Sequence, residues 1–168
     1  MGGARKELLA TASGETIAAR WERLFAEVGV RTVIVGGGAN GALVDEGDDA
    51  GPIGGVAALL AHAGEGFAIS IAGDMPFVTR PMIARLVRAT PRTVLAPRRD
   101  RRWEPFFAIW NARVVLPIVR AHIASGALAL HALLDAAAAE AFALDDDEAR
   151  NLFDWDAPAD VDPSGPPT

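Results

Sequence analysis

The chain has no cysteine among its 168 residues. That removes disulfides, thiolate zinc sites and cysteine nucleophiles at once. It also has no basic excess, with 16 Lys and Arg against 22 Asp and Glu and a formal charge of -6. Such a balance offers nothing to a phosphate backbone, so no nucleic-acid partner is expected. No apolar run approaches the ~20 residues of a membrane span. No secretory leader is legible at the start, so the expectation is a cytoplasmic protein without a membrane partner. The three histidines, His62, His122 and His131, stand far apart without metal-ligand spacing, and helix-surface or packing roles suit them. Neither an internal repeat nor a long linker divides the chain.

What is present is ordinary for a globular protein: 51% hydrophobic and 23% charged residues, in a length that suits one domain with a sizeable core. We expect that domain over residues 1–161, followed by a disordered tail at 162–168, D-P-S-G-P-P-T. Ser13 to Thr16 supply turn and cap residues, and Ile17, Trp21, Leu24, Phe25 and Val28 then recur at helical spacing up to Gly29. Arg31–Val35 (R-T-V-I-V) reads as a buried strand entering Gly36-Gly37-Gly38. A G-P-I-G-G loop (Gly51–Gly55) precedes an alanine-rich helix through His62, and Phe67–Ala72 is a second apolar strand. Pro81 opens a further helix, Thr93–Ala96 and Phe106–Trp110 read as strands, and helices are expected near Leu116–Ile123 and Leu128–Ala139. Ala141–Leu144 is a last strand, and the acidic run Asp145–Glu148 reads as a solvated turn. Strands alternating with helices imply βαβ units and a mainly parallel sheet.

Ligands of such sheets bind beyond the carboxyl ends of the strands. Gly36 falls there, where a missing side chain lets a ring or phosphate approach the backbone, and Asp45 follows soon after. Asp74, between Gly73 and Met75-Pro76, follows the most apolar strand. It suits Mg²⁺, which prefers one or two carboxylates plus substrate phosphates, or else it caps the next turn. Lys6, after Gly2 and Gly3 and before an amphipathic stretch, either neutralises phosphate charge or is simply solvated. The segment R-R-D-R-R-W-E-P (Arg98–Pro105) is either a solvated hairpin loop or a grip for a second anionic substrate.

Taken together, these segments resemble the molybdenum cofactor guanylyltransferase family. M-G-G-A-R-K-E-L-L (Met1–Leu9) is similar to the second half of that family's L-A-G-G-x-x-x-R-M-G-G-x-x-K-x-L-L signature. G-P-I-G-G resembles its G-P-L-x-G loop, A-G-D-M-P-F-V (Ala72–Val78) its metal-aspartate segment, and E-P-F-F-A-I-W (Glu104–Trp110) its E-P-L-x-A-L strand. F-D-W-D-A-P-A-D-V (Phe153–Val161) resembles its closing F-x-N-V-N-T-P-E-D-L. Five such segments in register carry far more weight than any one alone.

The resemblance implies an α/β fold of nucleotide-diphospho-sugar-transferase type: Rossmann-like, doubly wound, with a mainly parallel sheet and helices on both faces. The first central strand and the L-A-G-G backbone would then be missing from this chain, either through a start codon assigned too late or because the chain is a degraded relative. The implied enzyme is a nucleotidyltransferase that moves GMP from GTP to molybdopterin phosphate and releases pyrophosphate. Mg²⁺ is its implied cofactor, and transient contact with cofactor-synthesis proteins or molybdoenzymes is implied as well. The implied site comprises Lys6 and Asp74 as catalytic residues, Gly2, Gly3, Lys6, Gly36, Asp45 and Asp74 around the nucleotide, and Asp74 with Asp156 at the metal. Three departures bear on the base. Gly36 stands where the family has an asparagine that touches guanine, Arg5 where it commonly has aspartate, and Asp154 and Asp156 form D-x-D in place of N-x-N, as in cytidylyltransferases of the same cofactor. Restoring the side chain with Gly36→Asn should widen a guanine preference, provided Gly36 does not sit at positive φ. The alternatives are a CTP- or other NTP-dependent nucleotidyltransferase, a non-catalytic binding relative, and a fragment without function of its own.

Overall fold

A computed structural model of the protein describes residues 14–36, 42–47, 49–99 and 101–152. These fall into two compact units: 14–32, 71–87 and 144–152 in one, and 33–70 and 88–143 in the other.

The first unit is built on α1 (Ile17–Glu27). Thr16 caps it, its hydroxyl accepting from the Ala19 N–H at 3.2 Å. The expected apolar face is there: Ile17, Trp21, Leu24 and Phe25 are buried, and the Trp21 and Phe25 rings meet at 6.0 Å. Gly29, at φ 77, ends the helix in the left-handed conformation that glycine adopts without steric cost. Against α1 packs α3 (Arg80–Val87), burying Met82, Ile83 and Leu86. The run Asp145–Glu148 is not a simple turn. Asp145 and Glu148 form a reciprocal capping box that starts α6 (Asp146–Arg150), and Glu148 also pairs with Arg85 on α3. The three acidic residues of its first turn lie where the helix dipole favours negative charge.

The second unit holds α2 (Pro52–Ala63), α4 (Ala112–Ser125), α5 (Leu130–Ala136) and most of a five-stranded sheet. The strands are β1 (Phe67–Ile71), β2 (Val94–Arg99), β3 (Arg102–Trp103), β4 (Phe107–Asn111) and β5 (Glu140–Phe142). Their order is β1-β4-β2-β3, with β5 also on β2. The sheet is mixed, which corrects the expectation of a mainly parallel one. β2 runs antiparallel to β4 (Val94 opposite Trp110) and to β3, and parallel to β5 (Ala96 opposite Ala141). The physical reason is loop length: only seven residues separate β2 from β4, and a parallel return needs a crossover of a dozen or more.

A second correction concerns Arg31–Val35, which forms no strand among the described residues. A single parallel bridge, Val35 to Leu43, is all that its β-branched run achieves. A third is that Pro52–Gly55 are not loop but the first turn of α2, with Pro52 at its first position. The core of this unit is α2 and α4 over the sheet, centred on Ile53, Leu60, Val94, Trp110, Val115 and Leu133. Inside it the Trp110 indole N–H donates to Ser70 Oγ at 2.8 Å, and Ser70 donates on to the Pro105 carbonyl at 2.7 Å. That relay satisfies polar groups whose burial unpaired would cost about 1–3 kcal/mol each. No helix among the described residues is long and apolar enough to cross a membrane.

Candidate functional site

Two groups of predicted residues fall within the described chain, one in each unit. In the second unit, Gly36 and Asp45 come together. The Gly36 N–H donates to the Leu43 carbonyl (2.9 Å) and the Leu43 N–H to the Ile34 carbonyl (2.8 Å), so the segment before Gly36 and the one leading to Asp45 lie side by side. Gly55, one turn into α2, completes the cluster. A Cβ placed on either Gly36 or Gly55 would stand 3.4 Å from Asp45 Oδ1. The Asp45 carboxylate is thus exposed to solvent along a floor made of two glycines.

The helix that supplies Gly55 also fixes Asp45. The Glu46 N–H donates to the Gly54 carbonyl at 3.1 Å, and a Cβ on Gly54 would come within 2.6 Å of the Glu46 carbonyl oxygen. Only glycine permits that approach of backbone to helix. On its other flank the Glu46 carboxylate takes two hydrogen bonds from Arg120 of α4, at 2.8 and 2.9 Å. This paired geometry holds the Glu46 carboxyl below the usual carboxylate range and raises the Arg120 guanidinium. The motif G-P-I-G-G was legible in the sequence, yet its last two glycines serve by packing against Asp45, a contact that no local pattern announces.

Gly36 has φ 72. The proviso attached to Gly36→Asn therefore fails, and the substitution carries a backbone cost. The left-handed region costs an L-residue roughly 1–2 kcal/mol, least for asparagine and aspartate.

In the first unit, Asp74 lies in a turn three residues beyond the carboxyl end of β1, half-buried and followed by the buried Met75 and Pro76. Arg20 of α1 braces this turn, its Nη2 donating to the Val78 carbonyl at 2.8 Å. Burial lowers the Arg20 pKa from its ordinary value, and its Nε has no hydrogen-bond partner among the described residues, a cost that the brace offsets in part. Sequence reasoning missed Arg20; the only available signal was a cation at helical spacing beside the apolar stripe of α1. Gly2, Gly3, Lys6 and Asp156 lie outside the described residues, as do Gly37, Gly38 and Asp154.

The donor set bears on a metal. Among the described residues no three Asp, Glu or His side chains gather into a cage. One half-exposed carboxylate at a strand end, Asp74, is instead what Mg²⁺ uses when phosphates and waters complete its octahedron, so the residues fit an ion delivered with a nucleotide.

Comparison with known proteins bears on the family and the fold. A probable molybdenum cofactor guanylyltransferase from Methanosarcina acetivorans is 34% identical over 77 residues, 44% of this chain. The chain spans about a third of that relative's length (34%). Among solved structures, the molybdopterin-guanine dinucleotide biosynthesis protein A of Archaeoglobus fulgidus superposes with a TM-score of 0.72 at 19% identity, over 95% of this chain and 88% of that one. The 2-C-methyl-D-erythritol 4-phosphate cytidylyltransferase of Thermus thermophilus gives 0.66 at 19% identity, over 94% and 90%. These two likenesses establish a shared α/β fold with a mixed sheet. The sequence profile of the MobA-like NTP transferase domain matches residues 1–141, and the chain belongs to that family.

Proposed function

We propose that the protein transfers GMP from GTP to the phosphate of molybdopterin and releases pyrophosphate. The observation that carries this reading is the exposed Asp45 carboxylate over the Gly36–Gly55 floor, a surface that suits a flat base and the hydroxyls of its ribose. In the reaction an acceptor phosphate oxygen attacks the α-phosphorus of GTP. The new P–O bond forms as the bond from that phosphorus to the bridging oxygen breaks, and the electron pair leaves with pyrophosphate. All reacting groups are anionic, so the protein's task is to position them and offset charge.

Asp74, with Asp156 as a second carboxylate, would hold Mg²⁺, which when bound supplies positive charge across the triphosphate. Lys6, with the backbone of Gly2 and Gly3, would grip the phosphates and stabilise the leaving pyrophosphate. Asp45 would orient the ribose and base, and Arg20 would keep the Asp74 turn in place. No covalent nucleophile is needed.

A second reading, cytidylyl transfer, rests on two particular residues: Gly36, which removes the side chain that would contact guanine, and the D-x-D of Asp154 and Asp156. Competition among GTP, CTP and ATP for α-phosphate transfer to molybdopterin separates the two. We expect GTP to be preferred by a small margin, since guanine donors left unpaired cost roughly 1–3 kcal/mol each. With Gly36 at φ 72, we expect Gly36→Asn to lower stability by roughly 1 kcal/mol through the left-handed backbone and not to widen that margin. A clear preference for CTP overturns the guanylyl assignment, and no transfer from any nucleotide favours a non-catalytic relative.

A further inference from the structure

We propose that the hairpin joining β2 to β3 is a phosphate-binding site in which Arg99 and Arg102 grip a phosphate monoester dianion. The reading of that dianion as the acceptor's phosphate rests on the nucleotidyl-transfer function above. Four of the chain's 16 basic residues, Arg98, Arg99, Arg101 and Arg102, lie within five positions of a net acidic chain. All four are exposed, and among the described residues none of them forms an ion pair. By contrast Arg23, Arg80, Arg85, Arg120 and Arg150 each hold a carboxylate.

The arrangement works against local stability. Arg99 and Arg102 are direct cross-strand partners, and like charges directly opposite each other in a β-pair repel. Arg101 has φ 68, a left-handed conformation that an unstrained hairpin would give to glycine or asparagine. The Arg101 carbonyl accepts from Arg98 Nε at 3.4 Å, but among the described residues no ion pair offsets the Arg99–Arg102 repulsion, as expected of a site built for an external anion.

The geometry also selects the anion. Cross-strand partners project from the same face with Cβ atoms about 4.5–5.5 Å apart. Two guanidinium forks at that spacing can converge on one compact dianion, each making paired N–H···O bonds. On the other face Arg98 stacks over the Trp103 ring at 4.8 Å, and the Trp103 indole N–H is held by Asp135 Oδ1 at 2.7 Å. That stack anchors the hairpin to α5 and keeps Arg98 away from the pair. The hairpin also continues from the carboxyl end of β2, which is the ligand-binding end of parallel strands, and β2 runs parallel to β5.

The test titrates the purified protein with glycerol 3-phosphate, inorganic pyrophosphate and a hexaglutamate peptide at low salt. It follows the arginine Nε–H resonances by NMR and uses the Trp103 indole resonance as a check on hairpin structure. We expect glycerol 3-phosphate to shift the Arg99 and Arg102 signals saturably. R99A/R102A should weaken that binding at least about tenfold, since both charge-assisted pairs are lost with the guanidinium groups. Because the repulsion goes with the arginines, the double variant should melt no earlier than the parent. Unshifted arginine resonances, or equal affinity in the variant, would sink the proposal. Tighter binding of pyrophosphate would reassign the site to the leaving group, and binding of hexaglutamate alone would reassign it to an acidic protein surface; either overturns the acceptor assignment. A variant that melts earlier would mean that the arginines serve the fold. None of these readouts depends on turnover, so a failed GMP transfer and a failed phosphate site are told apart.

Discussion

Asp74→Asn should lower kcat by roughly 10²–10³-fold, the range for removing one preorganised electrostatic group from a transition state. The substitution keeps the size of the side chain and most of its hydrogen bonding but removes the charge. The turn that carries Asp74 is secured independently, by the buried Met75 and Pro76 and by Arg20 on the Val78 carbonyl. Thermal stability should therefore change by less than about 0.5 kcal/mol, as for substitutions away from the core. Steady-state turnover against Mg²⁺ concentration, with a melting curve on the same sample, checks both halves. Retained magnesium-dependent turnover would reduce Asp74 to a turn residue, and a large loss of stability would make it a structural one.

The second large effect is expected at Gly54. Glycine in a helix interior is ordinarily a liability, and replacement by alanine gains roughly 1 kcal/mol. Here the added methyl would stand 2.6 Å from the Glu46 carbonyl oxygen and 3.2 Å from the Ala50 Cβ. A backbone atom cannot swing aside, so either α2 or the Glu46 segment must move. Overpacking of this kind costs typically 1–3 kcal/mol, enough to outweigh the gain in propensity. Gly54→Ala should therefore melt several degrees lower, at roughly 2–4 °C per kcal/mol for a chain of this size. Because Asp45 is carried on the displaced segment, nucleotide affinity should fall with it. Gly55→Ala is the matched control. Its methyl meets Asp45 Oδ1 and Val35 Cγ1 at an ordinary 3.4 Å, so stability should hold. Equal melting temperatures for the two variants would show that the close approach at Gly54 is not limiting.

The two positions also show where sequence reasoning reaches and where it stops. The period of Ile17, Trp21, Leu24 and Phe25 gave α1 to within a residue or two, because an apolar face is written locally. The apolar run of β4 likewise announced a strand, which the structure buries on both faces. Strand direction is not written locally, so the run of alternating elements suggested a parallel sheet where β2 pairs antiparallel with two of its partners. Arg31–Val35 had the composition of a strand, but among the described residues only Leu43 bridges to it, and composition cannot supply a neighbour. In the site, Gly36 and Asp45 were legible as chemistry. Their meeting was not, because it depends on Gly54 and Gly55 lying beneath them. The position of Arg20 beside the apolar stripe was legible, but its brace was not, since it reaches Val78, 58 residues away.

The Glu46–Arg120 pair makes the Asp45 segment acid-sensitive. Arg120 holds the Glu46 carboxyl below its ordinary 4.5, so the ionised form belongs to the folded state. Such a group contributes its stability in full above the unfolded value and loses it as pH falls through the lower folded value. Protonation removes the ionic tie to α4 and leaves the backbone bonds at Leu43 and Glu46 as the hydrogen bonds that hold the segment. Acid should then open this segment before it reaches the core around Trp110, which carries no titrating group. Amide exchange followed as pH drops below 4.5 would show it: protection at the Leu43 and Glu46 N–H groups fading while the β2–β4 ladder stays closed. Simultaneous loss at both places would mean that the pair guards nothing local. A site whose floor is made of glycine has few side chains to lock it in register, and here much of that task falls to one ion pair that a low pH can undo.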